Sequence, residues 1–282
     1  MWIVTQFLIA AVGVSLALYL YVCANPSSRA NLFLGSLAQT GTRVLLLVAH
    51  PDDECMFFGP TALQLSANAD VHAVSVSNGN FDGLGSVREK EFVESCKVLG
   101  LRPGRVSVWD HESMPDGMNV WWKEDDIASA VGKYVLENQI EIIITFDKYG
   151  ISGHPNHRAV FAGVRRLLQQ PVFMKKVKAY SLVSAPLLRK FISLLDLFPT
   201  LVMHFRHSLR FKARLYETRT AEEVKLLHTN RVDKERILFL STPSEMWKAR
   251  RAMICHASQL VWFRHLYLVF SRYMVMNELE EI

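Results

Sequence analysis

Over the first 24 positions the chain has no polar–apolar rhythm. Trp2 to Ala24 carries no charged side chain and meets the length of about 20 residues that a helix needs to cross a bilayer. A short segment of Pro, Ser and Asn follows, and then brief apolar runs alternate with amphipathic stretches. The apolar runs predict strands at 43–49, 71–77, 105–109, 140–146 and 177–183. Between them the spacing predicts helices at 54–67, 86–99, 124–138 and 157–169. Strand and helix in regular alternation predict an α/β fold, a Rossmann-like and mostly parallel sheet flanked by helices.

Beyond residue 183 the pattern loosens. Leu187 to Phe205 and Leu260 to Val275 are apolar and aromatic, but Arg189, Lys190 and Asp196 interrupt the first, and Arg264, His265 and Arg272 the second. Neither reads as a second spanning helix. They predict a helical C-terminal region that either rests on a membrane surface or packs on the sheet. The expected organisation is a transmembrane anchor at 1–24, a linker at 25–42, an α/β core at 43–183 and a C-terminal extension at 184–282. A cleaved signal peptide is the alternative for the first segment. It is disfavoured by the missing basic n-region and by an apolar core longer than about 7–15 residues. Arg29 and Arg43 lie after the segment, which predicts a single pass with the domain on the cytosolic side. Cys23, Cys55, Cys96 and Cys255 show no paired spacing, in keeping with thiols held reduced there.

Chemistry enters where two of the apolar runs end. His50-Pro51-Asp52-Asp53-Glu54 follows Val44 to Val48, and Gly153-His154-Pro155-Asn156-His157 comes after Ile140 to Phe146. Each cluster alone also fits a solvated turn or surface histidines. Together they stand at the carboxyl ends of predicted strands, where open α/β sheets bind ligands. Imidazole nitrogen and carboxylate oxygen suit Zn2+ and other divalent transition metals, and a catalytic site needs three protein ligands. His50, Asp53 and His157 meet that need, and Pro51 turns the chain sharply between them. Asp52 is left to accept a proton from water, and Glu54 to orient a ligand. Cys55 reads either as a thiolate ligand or as a small buried residue. No Gly-x-Gly follows the first strand, so a nucleotide cofactor is not expected.

The Gly-rich loop 78–85 opens the helix that carries Arg88, whose guanidinium could fork onto a sugar hydroxyl or a phosphate or simply sit exposed. Trp121 and Trp122 read as platforms for a sugar, as lipid contacts, or as core.

Ala49 to Glu54, Arg88-x-x-Glu91, and Asp147-x-x-Gly150 leading into His154-x-x-His157 resemble the PIG-L/LmbE-type zinc-dependent de-N-acetylases over about residues 43–183. His256-x-Ser258-Gln259, Trp262-Phe263-Arg264 and Phe270 to Met274 resemble the eukaryotic branch. That branch acts on N-acetylglucosaminyl-phosphatidylinositol in glycosylphosphatidylinositol (GPI) anchor synthesis. The resemblance implies His50, Asp53 and His157 as ligands, Asp52 as base, and His154 as the group that stabilises the oxyanion or protonates the leaving amine. It also implies Arg88 at the substrate and an endoplasmic reticulum membrane location. Many bacterial members have His-Pro-Asp-His where this chain has Asn156, so no carboxylate stands there for a charge relay. A deacetylase of a soluble N-acetylglucosaminide and a non-catalytic membrane adaptor remain as alternatives. The formal charge of +5 and pI near 9.0 suit an anionic membrane face. No nucleic-acid motif is present, and which protein partners the chain has is unknown from the sequence.

Overall fold

The computed structural model describes residues 2–25, 37, 41–174, 176–217, 234 and 236–282, with side chains 3, 4, 7–9, 11 and 211–217 left out. Its centre is one sheet of seven strands: β1 (Arg43–Val48), β2 (Asp70–Ser75), β3 (Val106–Val108), β4 (Ile142–Phe146), β5 (Lys178–Leu182), β6 (Arg236–Leu240) and β7 (Met276–Glu281). Their order is β3-β2-β1-β4-β5-β7-β6. β1 to β5 are mutually parallel, and β7 runs antiparallel to both its neighbours. The architecture is therefore α/β with a mostly parallel, mixed sheet.

β1 and β4 lie in the middle, and Val44 to Val48 and Ile143 to Phe146 are buried. Burial from both faces explains why these strands read as continuous apolar runs rather than alternating ones. The helices Glu124–Asn138 and Pro155–Leu168 pack on each other, as do Gly85–Val98 and Pro243–Cys255. From β1 the chain proceeds to β2 on one side, while β4 sits on the other and leads to β5. The carboxyl ends of β1 and β4 thus flank a topological switch point, the position where such sheets bind ligands.

Two elements differ from the sequence reading. The helix expected at 54–67 is divided into Asp53–Met56 and Gly59–Ser66, because Pro60 cannot donate to a preceding turn and starts a new helix instead. The C-terminal region is not wholly helical, since it adds β6 and β7 to the sheet. Met276–Glu281 is polar in sequence, yet Asn277 donates to the Phe57 carbonyl at 2.8 Å and accepts from the Thr61 hydroxyl at 2.8 Å. Glu278 meets Arg236 at 3.4 Å. Polar residues paired in this way can enter a buried strand.

A helix of 23 residues forms at Trp2–Ala24. Among the described residues, however, no helix is long and apolar enough to cross a membrane, which corrects the transmembrane expectation to that extent. One side of this helix is also committed to protein: Tyr19 and Val22 are buried in a cluster with Leu197, Leu238, Leu240, Val275 and Met276. In the linker, residues 26–36 and 38–40 lie outside the described residues.

Candidate metal and catalytic centre

Most of the residues singled out in the two clusters converge at the β1/β4 switch point, Glu54 being the exception. His50, Asp52, Asp53, Arg88, His154 and His157 line one cleft of about 300 Å³, together with Asp116, Phe57, Phe81, Met118, Gln259 and Arg264. The ligand atoms of His50, His154 and His157 lie within 4.8 Å of one another. Asp53 Oδ1 stands 3.3 Å from His157 Nε2, and its Oδ2 stands 3.7 Å from His50 Nδ1.

Hydrogen bonds decide which nitrogen each imidazole presents. His157 Nδ1 donates to the Gly150 carbonyl at 3.1 Å, which leaves the Nε2 lone pair facing Asp53. Gly150 has φ +64°, and a Cβ there would come within 2.8 Å of the His157 Cβ, so only glycine fits beside this ring. Phe146 stacks on the other side of it, with centroids 4.1 Å apart. His50 Nε2 faces two oxygens, Asn156 Oδ1 at 3.0 Å and Asp116 Oδ1 at 3.1 Å, and so carries the proton and leaves Nδ1 open. Asn156 therefore orients His50 and takes no part in a charge relay. It is itself held by the Gly117 N–H at 3.2 Å and the Val120 carbonyl at 2.7 Å.

The electrostatics follow from burial and these contacts. Burial opposes the charge on Asp53, yet His157 and His50 hold its carboxyl far below the ordinary range. Asp52 is raised, first by burial and then by Asp53, against the pull of Arg264 and Arg88. His154 is pushed down to about 4 by burial and by the two neighbouring imidazoles. Its Nδ1 accepts the Asn156 N–H at 3.2 Å, so the neutral ring keeps its proton on Nε2. Against burial, which raises it, Asp116 is held below its ordinary value by His50.

Arg88 is buried rather than exposed. It donates to the Gly79 carbonyl at 2.9 Å and the Pro51 carbonyl at 2.6 Å, and it stands 3.9 Å from Asp52 and 3.7 Å from Asp116. Gly79, at φ +71°, makes room for it, since a Cβ there would fall 2.5 Å from the guanidinium carbon. Glu54, expected to orient a metal ligand, instead accepts the Asp52 N–H at 3.0 Å and meets His256 at 2.7 Å. Cys55 is a buried thiol that donates to the Asp52 carbonyl, and burial, then Glu54 and Asp52, keeps it protonated. Glu54, Cys55 and His256 are close enough to form a second cluster, but Glu54 is occupied by its hydrogen bonds to Ser95, Asp52 and His256. Trp122 is core, with its edge toward His50, and Trp121 is half exposed beneath Arg158.

The profile of the PIG-L family, described as GlcNAc-PI de-N-acetylase, matches residues 45–168. The chain is 39% identical over 240 residues to the N-acetylglucosaminyl-phosphatidylinositol de-N-acetylase of Bos taurus, covering 85% of this chain and 83% of that protein. It is 36% identical over 240 residues to a probable enzyme of the same description from Schizosaccharomyces pombe, covering 84% and 86%. Among solved structures, the N,N'-diacetylchitobiose deacetylase from Pyrococcus horikoshii superposes with a TM-score of 0.56 over 91% of each chain at 13% identity, a likeness of fold. On these grounds the chain belongs to the PIG-L family of de-N-acetylases.

Proposed function

We propose that the chain removes the N-acetyl group from N-acetylglucosaminyl-phosphatidylinositol, giving acetate and glucosaminyl-phosphatidylinositol in an early step of GPI-anchor synthesis. One observation carries the reading. His50, Asp52, Asp53, His154 and His157 meet in a single cleft of a chain that matches de-N-acetylases of that description over most of its length. Three donors fit a resident metal: His50 Nδ1, the Asp53 carboxylate and His157 Nε2, the two rings having their other nitrogens tied to oxygen acceptors. Zn2+ or another divalent transition metal held there supplies Lewis acidity toward an acyl oxygen and toward water.

The side chains account for the proton movements. Asp52, left free of the metal in the cleft, takes a proton from the attacking water as oxygen bonds to the acetyl carbon. His154 is neutral, and its Nε2–H donates to the acyl oxygen as negative charge develops. As the C–N bond breaks, the proton on Asp52 passes to the leaving nitrogen. Asp116 and Arg88 stand at the wall of the cleft, where an acceptor and a forked donor suit sugar hydroxyls.

The lipid half of this substrate calls for a membrane, and we place the chain at the endoplasmic reticulum with its domain on the cytosolic face. Exposed apolar side chains support contact with a membrane: Leu188 is 84% exposed, Trp262 75% and Leu187 72%, and Phe263, Leu266, Phe205 and Leu209 are also open. Phe191 and Tyr267 touch, joining the two segments, and the uncharged helix Trp2–Ala24 packs beside Leu197–Glu217. Trp2, Val12, Leu16, Leu20 and Tyr21 on that helix are exposed as well and add to this apolar surface. The test compares acetate release from the inositol lipid in bilayers with release from a soluble N-acetylglucosaminide. Preference for the lipid supports the reading, and equal or greater turnover of the soluble sugar contradicts it.

A further inference from the structure

Two of the residues that hold Asp52 in place, His256 and Arg264, come from the C-terminal segment, well beyond residue 168, where the match to the family profile ends. Asp52 has φ 113° and ψ −23°, a left-handed conformation that a non-glycine residue keeps only where its surroundings enforce it. Its backbone N–H donates to Glu54 Oε2 at 3.0 Å. The other oxygen of Glu54 meets His256 Nε2 at 2.7 Å and accepts from the Ser95 hydroxyl in a short hydrogen bond. Glu54, Ser95 and His256 are all fully buried. The Asp52 side chain is held from the same direction, with Oδ2 3.2 Å from Arg264 Nη2. The segment itself is pinned: Ser258 donates to Glu91 at 2.8 Å through its N–H and at 2.5 Å through its hydroxyl, and the Tyr267 hydroxyl donates to the Met56 carbonyl at 2.8 Å.

We infer that His256 and Arg264 are positioning residues for Asp52, His256 acting through Glu54 on its backbone and Arg264 on its carboxylate. Without the His256 donor, Glu54 is a buried carboxylate short of one partner. It turns to find another and releases the Asp52 N–H, and the carboxylate loses its aim at the attacking water. Without Arg264, the same carboxylate loses the hydrogen bond that fixes Oδ2 and keeps only the looser pairing of Oδ1 with Arg88 at 3.9 Å. The inference rests on the reading of Asp52 as the base.

The test uses the full-length, metal-loaded protein carrying His256→Leu, His256→Gln or Arg264→Gln, each alone and combined with Asp52→Asn. The readings are kcat and KM for acetate release, metal content and melting temperature. Groups that orient reacting residues in this way are typically worth about 10–100-fold, and kcat should fall by that much in His256→Leu and Arg264→Gln with KM and metal content unchanged. His256→Gln should recover most of the loss, because its amide N–H still reaches Glu54. In the Asp52→Asn background neither substitution should cost anything further, since there is no base left to aim. Full kcat in folded, metal-loaded His256→Leu and Arg264→Gln overturns the inference. So does an equal loss with and without Asp52, or a loss that follows metal content. Should His256→Leu fail to fold, the cycle between Arg264→Gln and Asp52→Asn decides, because Arg264 is partly exposed. Wild-type protein that releases no acetate overturns the proposed function and this inference with it. Active wild type with additive losses overturns the inference alone.

Discussion

Replacing Asp53 separates its two roles. Its Oδ2 accepts the Ala49 N–H at 3.2 Å and the His50 N–H at 2.8 Å, while Oδ1 faces His157 Nε2. The residue is 2% exposed, so no water replaces it freely. Asp53→Ala leaves two buried backbone donors without an acceptor. At about 1–3 kcal/mol each this costs roughly 2–6 kcal/mol. With about 2–4 °C per kcal/mol for a domain of this size, the metal-free protein should melt roughly 4–24 °C lower. Asp53→Asn keeps one oxygen for the two N–H groups but turns an NH2, which has no lone pair to offer a metal, toward His157. It should melt within a few degrees of the metal-free wild type and still fail to hold metal. Calorimetry of the stripped proteins and elemental analysis after reloading measure the two effects. One equivalent of metal in Asp53→Asn would refute the ligand assignment. A wild-type melting temperature in Asp53→Ala would refute the hydrogen-bond account.

Asp52→Asn should retain metal and lose about 10²–10⁴-fold in kcat, the usual worth of a general base, as read by acetate release; undiminished kcat would remove Asp52 from the mechanism. His154→Ala should also keep its metal and lose about 2.7–4 kcal/mol of transition-state stabilisation, measured as kcat. Against burial, which disfavours both charges, Glu54 is lowered from 4.5 by His256, and His256 is raised from 6.5 by Glu54. The stability they share is lost as pH falls below about 4.5 and as it rises above about 6.5 through the raised His256 value. The gap in melting temperature between wild type and His256→Gln should therefore be widest between those limits, and a gap that does not change with pH would contradict the ion pair. Protease added to sealed microsomes should digest the domain, and protection until detergent is added would contradict the cytosolic face.

The parallel half of the fold and the cluster at its centre were legible because both follow from local pattern. Apolar runs announce the five parallel strands, the central ones buried on both faces, and the two histidine clusters follow β1 at once and β4 after a short turn and helix. Residues recruited over long sequence distances were not legible. Asp116 lies in a loop with no periodicity, and nothing local says that it will stand 3.1 Å from His50. His256 and Arg264 were visible as part of a resemblance, but their partners Glu54 and Asp52 lie some two hundred positions earlier. β7 was hidden by its own polarity, because Asn277 and Glu278 satisfy their hydrogen bonds only in the folded sheet. Arg88 read equally well as a surface residue until the Pro51 and Gly79 carbonyls closed over it.

The central claim is tested most directly by acetate release from N-acetylglucosaminyl-phosphatidylinositol by the purified full-length protein, measured before and after chelation and again after a divalent metal is restored. The account predicts release that the chelator abolishes, that restored metal recovers, and that Asp52→Asn loses while still holding metal. Release that continues undiminished in the fully stripped protein, or none from metal-loaded wild type, would contradict it.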